Sequence, residues 1–172
     1  MTSNILVSRR VLGIDPGLSV TGWGIIDGDG ISGELVDCGV IRTHTKQPRA
    51  ERLKDIAEGV RTLLTDHEPA ELAVEQQFVA INVRSAMVIG ETRAAAMIAA
   101  AEADIPVFEF APTAVKESVT GWGGAPKEQV KQMVAVQLGL TEIDGPLDIA
   151  DALAVALTRL GELRYESAMS RS

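Results

Sequence analysis

With 172 residues, 46% of them hydrophobic and 23% charged, the chain is long enough for one domain with its own core and too apolar for a disordered segment. Its apolar stretches fall well short of the ~20 residues a membrane span needs, and Met1 to Arg10 lack the apolar centre of a signal peptide, so a cytoplasmic protein with no membrane partner is expected. A net charge of −8 weighs against nucleic acid, while a lone Cys38 and only two imidazoles, His44 and His67, exclude an intrachain disulfide and a zinc cluster of usual spacing.

In chain order, Arg10 to Asp15, Thr21 to Asp27 and Glu34 to Arg42 read as three strands of an antiparallel meander, joined by turns such as Asp27-Gly28-Asp29-Gly30. Pro48 to His67 carries apolar residues at Leu53, Ile56, Ala57, Val60, Leu63 and Leu64, the stripe of an amphipathic helix closed by Glu68-Pro69. A strand over Glu71 to Gln76 follows. Asn82 is placed to cap a long helix through Ala103, and Ile105 to Phe110 forms a short buried strand. A helix starts at Pro112-Thr113, Gly121 to Ala125 reads as a mobile loop, and helices over Pro126 to Leu138 and Leu147 to about Tyr165 complete the chain, with the last seven residues frayed. The pattern predicts an α/β fold with a mixed five-stranded sheet, three antiparallel strands then parallel ones, flanked by helices on both faces; the core runs from about 10 to 160.

Three segments place carboxylates in apolar surroundings. Asp15 ends the run Val11-Leu12-Gly13-Ile14, Glu75 ends Leu72-Ala73-Val74, and Asp148 with Asp151 interrupts Leu147 to Leu157. Parallel neighbouring strands would deliver Asp15 and Glu75 to one edge of the sheet, where open α/β folds hold their sites. Asp148 and Asp151, three residues apart, share one helical face near a helix N-terminus. Each acid has a local alternative: an Asx turn for Asp15, a solvated strand end for Glu75, a cap and first-turn acid for the helical pair. Taken together, four carboxylates at one edge repel unless cations hold them, and two Mg²⁺ ions would clamp the oxygens of a phosphodiester displacement.

Cations gather in two places, Arg42, Lys46, Arg49, Arg52 and Lys54 in one stretch and Lys116, Lys127 and Lys131 in another. Phe78 follows the second acid by three residues, and Trp122 sits in a glycine-rich loop, where it either touches a ligand or pins the loop. The helix after Asn82 offers Ala86, Gly90, Ala94, Ile98 and Ala101, with Met87 and Met97, a stripe suited equally to core packing or to a second helix.

Gly13-Ile14-Asp15-Pro16-Gly17 with Thr21-Gly22-Trp23-Gly24, then Val74-Glu75-Gln76-Gln77-Phe78, Val115-Lys116, Ala125-Pro126-Lys127 and Asp148-Ile149-Ala150-Asp151-Ala152-Leu153-Ala154 resemble, in order and spacing, the bacterial RuvC family of Holliday junction resolvases. The resemblance implies an RNase H-like fold and a homodimer that cuts four-way junction DNA by symmetric, metal-dependent nicking during recombination and repair. It also implies Mg²⁺, two ions per site with Mn²⁺ able to substitute, and RuvA and RuvB as branch-migration partners. By the same resemblance Asp15, Glu75, Asp148 and Asp151 are the catalytic and metal-binding acids, and Phe78, Lys116 and Lys127 contact DNA. An acidic chain departs from a family often basic. Three rivals differ in their demands: an RNA-processing nuclease of the RuvX/YqgF type lacks the Phe78 and lysine pattern, a sugar-kinase-like phosphotransferase needs two domains, and a non-catalytic junction binder has no use for four acids.

Overall fold

The computed structural model describes residues 8–76 and 83–169. Five strands form one sheet in the order β3-β2-β1-β4-β5, with β1 at Arg9–Asp15, β2 at Val20–Gly28, β3 at Gly33–Arg42, β4 at Glu71–Glu75 and β5 at Val107–Phe110. β1 pairs antiparallel with β2 and β2 with β3, whereas β4 lies parallel to both β1 and β5. The helices are α1 (Arg49–His67), α2 (Val83–Glu102), α3 (Pro112–Thr120), α4 (Lys127–Gln137) and α5 (Leu147–Met169).

Strand alternation sorts the core into two layers. Leu12, Ile14, Ile25, Leu72 and Val74 pack under Val60, Leu63 and Leu64 of α1 and Ala96, Ala99 and Ala100 of α2. Val11, Ile26, Ala73 and Phe110 face α3, α4 and α5, whose Val115, Val130, Val134, Leu153 and Ala156 close the other side. The helices cover both faces, as the parallel strands require.

Three predicted features differ. The strand expected to be buried over Ile105 to Phe110 is the edge strand β5, in which only Phe110 is buried because it has a neighbouring strand on one side alone. The C-terminal helix continues through Met169 rather than fraying after Tyr165, because Arg159 pairs with Glu166 at 2.6 Å and ties the added turns to the sheet. Gly121 to Ala125 is a held turn: the Gly121 amide donates to Glu117, the Ala125 amide donates to Trp122, and Ala125 is fully buried. The Asn82 cap lies outside the described residues.

Among the described residues, Arg159 is the largest fully buried side chain. It donates to both carboxylate oxygens of Glu71, at 2.7 and 3.3 Å, and its guanidinium lies 3.6 Å from the Phe108 ring centroid. Arg9 closes on the same carboxylate at 2.5 Å, so Glu71 is buried with two cations.

Candidate active site

Register brings the first two acids together. Ile14 pairs with Val74, so Asp15 and Glu75 come next on adjacent parallel strands. Both share the parity of Val11 and Ala73 and therefore face α5. The turn after Asp15 is closed by the Thr21 hydroxyl, which donates to the Gly17 carbonyl at 2.7 Å.

Glycines on the same face let α5 settle onto the sheet. A Cβ at Gly13 would stand 2.1 Å from the Ala152 carbonyl oxygen, one at Gly22 would stand 2.0 Å from that of Asp148, and one at Gly24 would strike Leu153 at 2.3 Å. Gly13 is paired with Gly24, and Asp15 with Gly22. Without side chains at these points, the first turns of α5 carry Asp148 and Asp151 down to the edge where Asp15 and Glu75 emerge.

The result is a cleft of about 360 Å³ lined by Asp15, Glu75, Asp148, Asp151, Lys116 and Lys127 among others. A larger cavity, about 770 Å³ between α3, the β2–β3 turn and the far half of α5, holds none of these acids. Burial, and then the repulsion of Asp151, Glu75 and Asp148, pushes the Asp15 carboxyl up to about 8. Burial and Asp151 raise Glu75 as well, against the pull of Lys127 and Lys116. The Lys127 ammonium donates to Asp151 at 2.7 Å, and that hydrogen bond holds its proton more firmly than usual.

Among the described residues, no three acids, imidazoles or thiols have closed into a cage ready for an ion. The expected convergence thus reaches one cleft but not ligating distance. The Lys127 ammonium engages one of the four acids, Asp151. The chemistry of the donors nonetheless fits a hard divalent cation: all four are carboxylates, neither histidine nor cysteine lines the cleft, and Asp15 is poor in compensating charge.

Lys116 and Lys127 line the same cleft as the four acids. Phe78 lies outside the described residues. In the other basic stretch Arg49 pairs with Glu91, Lys54 pairs with Glu58 at 3.4 Å, and Arg52 donates to Thr43 and Ser19, while Arg42 and Lys46 are exposed. Missed from the sequence were Gly13, Gly22 and Gly24 as clearance for α5; their signal was the alternation of glycine with bulky residues on two strands that pair.

This sheet order, with helices on both faces and acids at the β1–β4 edge, defines an RNase H-like nuclease. Residues 11–159 match the family model described as crossover junction endodeoxyribonuclease RuvC. The chain is 45% identical over 148 residues to the RuvC of Chloroflexus aggregans, covering 86% of this chain and 90% of the relative, and 45% identical over 152 residues to that of Chromobacterium violaceum, covering 88% and 86%. The Thermus thermophilus RuvC, solved in complex with a Holliday junction substrate, superposes with a TM-score of 0.86 at 36% identity, over 92% of this chain and 97% of that one. The chain belongs to the RuvC family of metal-dependent crossover junction endodeoxyribonucleases.

Proposed function

We propose that the protein resolves four-way DNA junctions by paired, symmetric hydrolysis of phosphodiester bonds, with Asp15, Glu75, Asp148 and Asp151 as the catalytic acids. The observation that carries this reading is the delivery of those four carboxylates, from β1, β4 and α5, into one cleft with two lysines. The acids would hold two Mg²⁺ ions, or Mn²⁺ in their place, which when bound activate water and stabilise charge on the phosphate oxygens. Asp15 and Glu75, fixed on strand ends, set one side of the site. Asp148 and Asp151 approach from the helix. Lys127, paired with Asp151, and Lys116 supply positive charge for phosphate oxygens. Phe78 would stack on a base opened at the crossover.

Two strands related by a two-fold must be cut, which favours an isologous homodimer. α2 supports that reading. Its buried face is Thr92, Ala96, Ala99 and Ala100, leaving Val83, Met87 and Ile98 more than half exposed, and a Cβ at Gly90 would meet nothing within 4 Å. Met97, by contrast, packs into the core under α1. Family membership further suggests RuvA and RuvB as partners and the cytoplasm as the setting; no helix among the described residues is long and apolar enough to cross a membrane.

Four-way junction, linear duplex and structured RNA, each incubated with and without Mg²⁺, test the proposal. Paired nicks at symmetric positions in the junction alone, and only with metal, are expected. Equal cleavage of structured RNA would overturn it.

A further inference from the structure

We infer that Trp122 is a stacking platform for a nucleobase of the bound junction. The inference rests on the junction-cutting reading above and adds a DNA contact outside the acid cleft. Trp122 lies on the connection between α3 and α4, the helices that bring Lys116 and Lys127 to the cleft. Four residues lie between it and Lys127, so its Cα is at most ~18 Å from that of the lysine, a span comparable to the width of a DNA duplex.

Its presentation is built. The residue is 60% exposed, in a chain with only 3% aromatic residues. Gly121 ends α3 in the left-handed region at φ 77°, which turns the backbone out of the helix. The Thr120 hydroxyl donates to the Lys116 carbonyl at 2.8 Å and accepts the Trp122 amide at 3.2 Å. Farther on, Ala125 donates back to the Trp122 carbonyl at 3.1 Å from a fully buried position. Between these anchors the indole lies over Gly124, where an added Cβ would stand 2.8 Å from two ring carbons and 3.0 Å from Nε1. One side of the ring is thus seated on backbone while much of its surface remains open. A tryptophan needed only to pin the loop would bury its area; this one is pinned by others. Held aromatic surface of this kind is what single nucleobases stack on, without regard to their sequence.

Junction binding in chelator, with no cleavage, isolates the contact. Trp122→Ala is expected to lose about five- to a hundredfold in affinity, equally at low and high salt, because stacking releases no counterions. Trp122→Phe should retain most of the affinity. Gly124→Ala, which keeps the indole but displaces it, should lose affinity as Trp122→Ala does, with the fold checked by circular dichroism. Emission of the wild type should fall on adding junction, and Trp122→Phe, left with Trp23, should show none of that fall. Wild-type affinity in Trp122→Ala, or loss of the homodimer in that variant, would overturn the inference while cleavage by the wild type upheld the function. A wild type that ignores junctions would overturn both.

Discussion

Asp15 is held where a negative charge is least welcome, at the end of a buried strand and facing three other carboxylates. Without metal, the folded chain keeps a proton on Asp15 up to about pH 8, whereas the unfolded chain releases it near pH 4. Across that window the unfolded state binds fewer protons, so stability of the metal-free protein should fall as pH rises, with Glu75 adding in the same direction. Thermal melts in chelator between pH 5 and pH 8 check this, and Asp15→Asn should flatten the trend and melt higher than wild type at pH 8. The same substitution should abolish cleavage, as should Glu75→Gln, Asp148→Asn and Asp151→Asn, with junction binding preserved in each because repulsion toward phosphate is reduced. Loss of binding in step with cleavage would point to structural roles. Phe78→Ala should slow cleavage while leaving the melting temperature nearly unchanged; a core phenylalanine would cost about 3–5 kcal/mol.

The elements place these residues through close approach. Gly22→Ala puts a methyl group against the Asp148 backbone, and displacement of the first turn of α5 should raise the Mg²⁺ concentration needed for half-maximal cleavage. An unchanged metal requirement would show that α5 need not lie so close. At its other half α5 is pinned by Arg159. Arg159→Met leaves the Glu71 carboxylate buried with only Arg9, at a cost of about 3–5 kcal/mol in denaturant unfolding, and pairing it with Glu71→Leu should restore much of the loss. The acids were legible because a carboxylate after a run such as Leu72-Ala73-Val74 contradicts the burial of its neighbours, and the spacing of Asp148 and Asp151 put them on one helical face. The Glu71–Arg159 pair was not, since its partners stand 88 residues apart and each alone reads as a solvated charge. Clearance at Gly22 was hidden for a related reason: what a missing side chain admits depends on which helix crosses it.

At the scale of the whole molecule, a net charge of −8 leaves little general attraction for DNA. Binding should depend on few contacts, and Lys116→Ala and Lys127→Ala should each reduce the slope of log affinity against log salt by about one unit. Lysines that act on the transition state alone would lower the rate and leave the slope intact. In the stretch from Arg42 to Lys54, Arg49 and Lys54 each stand against a carboxylate, which partly offsets their charge.

α5 crosses β1, β2 and β4, and its own residues Ala152 to Ala156 are all buried. The helix that supplies half the acids is therefore also the centre of the core. Its amide hydrogens from 152 to 160 should exchange with solvent only through global opening, the slowest class in the molecule. Loss of the active site should therefore coincide with loss of the core. Heat inactivation and unfolding should follow a single curve, and proteases should find an intact nuclease or an open chain.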